Sequence, residues 1–534
     1  FIFDFMDTVK CENYSCKMKN PVNSLELYSY FLIWTCSTIY SLFRLFEAQE
    51  DILQRNQESL PLLYDLKPGW SFTSRLKDVS DIEWSSWKYF IQTFWYHLII
   101  QFTISEIIRI LFCKLLKYWY IASTVIFIVM NMGVKQMLVI VVQPVFFLIV
   151  IYYGGKKLSI WIVSMILLLT YNSLKYVYFF WDFLDPNNVN NEGVYLTLFS
   201  IAWIQLRCIS YSLDSIENRG NVQITSNSIL NMFTYILYLP LLYTGPIVLY
   251  EEFEKSFTAK PEYLLTRLKR FLGDMILYLF YTFILDLLFH YIYFFAMQSN
   301  MEMVRQFPTF ALCGGGLWMG VEFHLKYVIS YGTTTAFARL DNIEPPPTPR
   351  CIARIHVYSH MWRYFDVGLY RFLVKYIYRP SYSAICENFK LPRVVYKLMA
   401  SLLTFIFIFM WHGTVWHIFL WSLFNYCGIT LEQFGKVAAK QKLYKSFREK
   451  LLKTDAMEAR FVALLCSPLL ALSAISNFYL FAGNDVGNLF FECFSDPASF
   501  NVIILITSLY CCCHVSMALE DVPSRTARKI EKVL

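Results

Sequence analysis

Hydrophobic residues along this chain come in blocks about twenty residues long, and the polar residues are confined largely to the gaps between them. About 20 apolar residues in a helix cross the hydrocarbon core of a bilayer, so each block predicts a membrane span. The longest are "MLVIVVQPVFFLIVIYY" (137–153), "SILNMFTYILYLPLLYTGPIVLY" (228–250) and "FLGDMILYLFYTFILDLLFHYIYFFAM" (271–297). "LMASLLTFIFIFMWHGTVWHIFLW" (398–421), "FVALLCSPLLALSAISNFYLFAG" (461–483) and "FNVIILITSLYCCCHVSMAL" (500–519) join them. Shorter candidates near 28–45, 89–104, 118–132, 158–172, 194–213 and 312–332 bring the expectation to roughly ten spans, plus one or two re-entrant or interfacial helices. The predicted fold class is an all-α polytopic membrane protein.

The interruptions divide one membrane domain, 1–534, into segments. Residues 1–27 form an N-terminal polar segment, and 46–88 reads as a loop along the membrane face, with Trp70, Trp84 and Trp87 at head-group level. "DNIEPPPTPRC" (341–351) is a proline-rich connector that cannot continue a helix. A candidate catalytic core follows at 361–425, and 520–534 is expected to be a cytosolic tail. The chain starts on Phe1, and Met6 is expected to be the natural initiator. Composition agrees with the spans: 57% of residues are hydrophobic and 16% charged, with a net charge of +7. The basic blocks 436–453 and 524–534 fit cytosolic faces, and their place among apolar spans argues against nucleic acid as a partner. The 14 cysteines show no Cys-x-x-Cys pair, and "CCCH" (511–514) reads as buried thiols in preference to a metal site.

Candidate chemistry begins at "MWRYFDVG" (361–368). On one helix, Trp362, Arg363 and Asp366 would share a face. An unpaired Asp or Arg at the bilayer centre costs about 2.5–3.5 kcal/mol, so the block is either a structural ion pair or a functional site. His412, within a membrane-length apolar run, supplies a group suited to moving protons near neutral pH. A lone histidine there would more often be a packed core residue. An acid upstream, far enough away for one helix and a return span, favours function, and Gly413 allows close approach by backbone or substrate. His97, His290, His324 and His514 are expected to be packed or hydrogen-bonded.

"PRC" (349–351), "MWRYFDVGL" (361–369), "WHG" (411–413), "LFNYCG" (423–428) and "SNFYLFAGNDVG" (476–487) resemble the Hedgehog acyltransferase branch of the membrane-bound O-acyltransferase (MBOAT) family. "YLPLLYTGPI" (238–247), "LRCISYSLD" (206–214) and "EWSSW" (83–87) extend the likeness over most of the chain. The resemblance implies an MBOAT-like helical bundle around a central cavity, with palmitoyl-CoA as acyl donor and no cofactor required for the chemistry. It implies an acceptor with an N-terminal cysteine, a secreted signalling protein of Hedgehog or EGF type, and an endoplasmic-reticulum membrane location, with the Golgi as the second compartment. His412 and Asp366 would be catalytic, with Trp362, Arg363, Trp411, Gly413 and Asn425 shaping the site. Cys351 would ligate the iron of haem b, a plain thiol being the other reading. Arg371 and Lys375, with Arg379, form a stripe for CoA phosphates or for lipid head groups. Three rivals stand beside this reading: a lipid O-acyltransferase of the same superfamily, a transporter gated by an Asp–Arg pair, and a non-catalytic scaffold.

Overall fold

Where the sequence is apolar over a membrane's width, the backbone must close its own hydrogen bonds, and it does so as helix. The computed structural model describes residues 22–55, 65–153, 155–174, 178–186, 191–219, 225–352, 355–495 and 499–520. Met6, the basic stretch 524–534 and most of the 1–27 and 520–534 segments lie outside the described residues. Among the described residues, nine helices are long and apolar enough to cross a membrane. Three more long helices, Ser24–Arg55, Thr309–Leu340 and Trp416–Ala439, complete the bundle.

Burial ranks these helices. The Asn191–Glu217 span is 78% buried and forms the centre, whereas Leu264–Leu288 is only 17% buried and turns its apolar side chains outward, as a lipid-facing helix must. Helix 191–219 packs against helices Val134–Tyr152, Lys157–Leu174 and Ile82–Leu111. On the other side, helix 309–340 packs against helices 24–55 and 264–288, and helix Asp455–Phe494 packs between helices 416–439 and Phe500–Glu520.

The expected 398–421 span is divided between two helices, one ending at His412 and the next starting at Trp416, and another expected span does not form at all. Residues 228–250 split into a helix that ends at Ile236, a short 3-10 turn at Leu239–Leu241 and irregular chain up to Tyr250. Pro240 lacks the N–H a helix needs, and Gly245-Pro246 breaks the run again. The freed carbonyls are satisfied inside the protein. Arg207 donates to Ile236 O at 3.0 Å and also to Leu241 O, Tyr235 Oη donates to Val248 O at 2.5 Å, and Thr334 Oγ1 donates to Gly245 O at 2.9 Å. Irregular backbone at this depth survives because protein, not lipid, surrounds it.

The 46–88 stretch also differs from the loop expected. Its start belongs to helix 24–55, its middle includes an antiparallel hairpin, Leu66–Pro68 with Leu76–Asp78, and its end is helix 82–111. Trp84 and Trp87 are buried inside the protein and stacked at 5.5 Å, and the Trp84 indole donates to Asp286 Oδ1 at 3.0 Å. Asp78 pins the hairpin by accepting the Ala296 N–H at 2.9 Å, and burial raises its carboxyl to about 6.

Candidate active site

The chain breaks between helix Tyr358–Tyr364 and helix Val367–Leu373, and Asp366 stands at the break. Its Oδ1 accepts the Leu369 N–H at 2.8 Å, capping the second helix, and its Oδ2 accepts the Tyr331 hydroxyl at 3.0 Å. Trp362, Arg363 and Asp366 therefore do not share one helical face. The Arg363 guanidinium lies 5.9 Å from the ring centres of both Tyr364 and Tyr370. Gly368 lets this joint press onto the irregular 237–249 segment, since a Cβ there would come within 2.3 Å of Ile247 O.

His412 is the last residue of helix Arg393–His412, and Gly413 turns the chain at φ 147°, a conformation that favours glycine. The imidazole stands between two indoles, 4.7 Å from Trp411 at 80° and 4.7 Å from Trp421 at 76°. Each surrounding indole is tied to the frame. Trp411 donates to Ala202 O at 3.0 Å, Trp421 to Asn477 Oδ1 at 3.1 Å, and Trp362 to Asn425 Oδ1 at 3.0 Å. Asn425 in turn donates to Trp421 O at 2.9 Å. Trp203 touches both Trp411, at 5.4 Å, and Tyr331, at 6.2 Å, so packed rings link the imidazole's cage to the hydroxyl that holds Asp366.

His412 and Asp366 line one cavity of about 1320 Å³, with Trp362 and Trp411 also on its wall. That exceeds the roughly 300–1,000 Å³ of a pocket for one small ligand and leaves room for two substrates. Arg363, Gly413, Asn425, Arg371 and Lys375 are not on this wall. Asn425 and Gly413 act from behind it. Arg371 pairs with Glu252 at 3.2 Å, and Lys375 pairs with Asp214 and Glu251 at 2.9 Å each, so carboxylates already occupy the expected basic stripe. Its four-residue register is also altered by a π-helical turn at Val374–Tyr378. Cys351 is an exposed free thiol on the wall. Among the described residues, no cluster of three or more His, Cys, Asp or Glu could hold a metal ion.

The wall also carries an ionic cluster that the sequence pattern did not single out. Lys326 Nζ lies 2.5 Å from Asp81, 3.0 Å from Glu83 and 3.8 Å from Glu322, and the Tyr327 hydroxyl donates to Glu83 at 2.7 Å. One signal was present: Glu322 and Lys326 stand four apart within an otherwise apolar block. Their partners, at 81 and 83, are too distant in the chain to be inferred. Of the histidines expected to be packed, His290 accepts the Trp70 N–H at 2.9 Å, whereas His324 lies on the cavity wall.

The sequence pattern of "MBOAT, membrane-bound O-acyltransferase family" matches residues 147–454. The chain is 27% identical to "Protein-cysteine N-palmitoyltransferase Rasp" of Drosophila melanogaster over 505 residues, 94% of this chain and 97% of that protein. It is 25% identical to "Protein-cysteine N-palmitoyltransferase HHAT" of Mus musculus over 89% of this chain and 95% of that protein. Mouse "Protein-cysteine N-palmitoyltransferase HHAT-like protein" matches at 25% over 78% of this chain and 79% of that protein. With a family match over more than half its length and nine helices among the described residues long and apolar enough to cross a membrane, the chain belongs to the membrane-bound O-acyltransferase family, and it is a multi-pass membrane acyltransferase.

Proposed function

We propose that the chain is a protein-cysteine N-palmitoyltransferase, moving palmitate from palmitoyl-CoA to the N-terminal cysteine of a secreted signalling protein of Hedgehog type, with EGF-type ligands as further acceptors. The observation that carries this reading is the end-to-end match to two proteins named for that activity, 97% and 95% of whose lengths are covered. A secreted acceptor places the reaction at the endoplasmic-reticulum membrane.

In this reading the acyl chain lies in the apolar part of the cavity and its thioester stands beside His412. The acceptor's amine attacks the thioester carbonyl, the new C–N bond forms and the C–S bond breaks. His412 takes the proton from the amine and returns it to the departing CoA thiolate. Asp366, held by Tyr331 and the Leu369 amide, orients the cationic partner of that exchange. Trp362 and Trp411 wall the thioester, and Asn425 keeps Trp362 in place. Direct transfer leaves no acyl-enzyme, so radioactive palmitate retained on the purified protein during turnover would overturn it.

Cys351, a free thiol with Ile352, Ile355 and Cys512 on the same wall, fits a single thiolate ligand to haem iron. A haem there would brace the 341–351 connector and supplies no redox step to acyl transfer. A Soret band that survives Cys351→Ala would remove that assignment. The deciding assay is palmitate transfer from palmitoyl-CoA to a synthetic peptide with an N-terminal cysteine, in microsomes carrying the full chain. Transfer only to a sterol, diacylglycerol or lysophospholipid would replace the reading with lipid O-acylation.

A further inference from the structure

The chain between helix 416–439 and helix 455–494 leaves both charge and large apolar side chains exposed. Those two helices pack along one another, and Asp455 opens a run long and apolar enough to cross a membrane. The connection between them therefore lies at a face of the bilayer. It folds as helix Lys442–Phe447, which continues into a π-helical turn at Arg448–Leu452. Over 440–453 it holds six basic residues, Lys440, Lys442, Lys445, Arg448, Lys450 and Lys453, against Glu449 as the one acid. Such an excess marks the cytosolic side, whose leaflet is anionic.

Residues four apart share a stripe here, since four falls between the repeat of the α-turns and that of the wider π-turn. One stripe docks the helix on the protein. Tyr444 donates to Glu458 Oε1 at 3.0 Å, Arg448 pairs with Asp455 at 2.6 Å and with Glu458 at 2.5 Å, and Leu452 is buried. The neighbouring stripe is Leu443, Phe447 and Leu451. Phe447 rests on Phe461 at 5.4 Å, where helix 455–494 begins its apolar run, so this stripe borders the bilayer. Leu443 is nevertheless 83% exposed and Leu451 60% exposed. The remaining faces carry Lys442, Lys445, Lys450 and Lys453, all exposed. Two carboxylates offset Arg448, but among the described residues none lies within ion-pair distance of these four lysines.

The two features together name the partner. Lysines alone would suit any polyanion, and leucines alone any apolar surface. At the boundary between head groups and acyl chains, leucines are buried while ammonium groups stay level with the phosphates. We propose that the 442–453 helix is an interfacial site for anionic phospholipid. Leu443 and Leu451 enter the acyl boundary of the cytosolic leaflet, and the four lysines hold head groups of net negative charge. None of these residues lines the cavity, so the site is separate from the one that holds His412 and Asp366.

The test is native mass spectrometry of the full chain released from nanodiscs that hold equal amounts of phosphatidylserine and phosphatidylcholine. One lysine near an anionic surface is worth about fivefold in binding, so the wild type is expected to retain phosphatidylserine over phosphatidylcholine by about fivefold or more. Replacing the lysines together, by Lys442→Gln, Lys445→Gln, Lys450→Gln and Lys453→Gln, should remove that preference and leave the thermal midpoint in detergent unmoved. Leu443→Ser with Leu451→Ser keeps every charge and should still lower phosphatidylserine retention about tenfold. Equal retention of the two lipids by the wild type would overturn the site, and that measurement needs no variant to fold. A preference that persists in the lysine variant would place the lipid elsewhere and overturn it too. Retention unchanged by the leucine pair would leave a solvated basic face in place of an interfacial helix. A raised KM for palmitoyl-CoA in the lysine variant, with the lipid preference intact, would assign the lysines to the donor's phosphates instead.

Discussion

The cavity has two polar regions built on opposite principles. Around His412 the wall is aromatic: the imidazole is set edge-on between two tryptophans whose indole N–H groups are held by carbonyl oxygens. Around Lys326 the contacts are ionic, one ammonium among Asp81, Glu83 and Glu322. In the proposed mechanism this ring must gain and lose a proton. A buried ion cluster fixes its charges and makes the fold depend on every member. On that proposal the first region serves turnover, while the second ties the wall together.

Substitutions test that contrast. The largest effect should come from His412→Ala, a fall in kcat for palmitate transfer of about 10²–10⁴-fold, the usual worth of a general base, with the thermal midpoint in detergent nearly unmoved. A loss of only a few-fold would take the imidazole out of the reaction. Lys326→Met should do the reverse. Stranding buried carboxylates should lower folding stability by about 3–5 kcal/mol, read as early thermal unfolding, and adding Glu83→Gln should restore part of it. Asp366 sits between the two cases. Asp366→Asn keeps a side-chain acceptor for the Leu369 cap but loses the charge, so kcat should fall about 10²-fold at near-normal stability. Asp366→Ala should also lose the cap, about 0.5–2 kcal/mol. If the two variants are equally active and near wild type, Asp366 only caps a helix. Asn425→Leu should cost about 5-fold in activity, as one hydrogen bond to the Trp362 indole is lost. Arg371→Ala should be the mildest, with the KM for palmitoyl-CoA within about threefold of wild type, because Glu252 already engages that guanidinium.

These effects also separate what could be read in the chain from what could not. The spans were legible wherever twenty apolar residues ran unbroken, because backbone in lipid has so few ways to satisfy itself. The 228–250 block met that criterion and still failed as a span. Its prolines broke the helix, and protein contacts from Arg207, Tyr235 and Thr334 rescued the carbonyls, contacts no local window contains. Trp84 and Trp87 looked like interfacial residues for the same reason, and they are core. His412 and Asp366 stood out as polar residues in apolar surroundings, and both line the cavity. Arg363 stood out equally and lies off the cavity wall, since a helix break at Phe365–Asp366 decides which way each side chain points.

The sequence by itself determined that this chain lives in a membrane, roughly how many times it crosses, and which imidazole and carboxylate are worth testing, because burying polar groups in hydrocarbon is so unfavourable that exceptions advertise themselves. Only the tertiary structure decided that Tyr331 grips Asp366 and that Lys326 meets Asp81 and Glu83. Those contacts join residues far apart in the chain, and their geometry is set by how whole helices pack, which no stretch of neighbouring residues encodes.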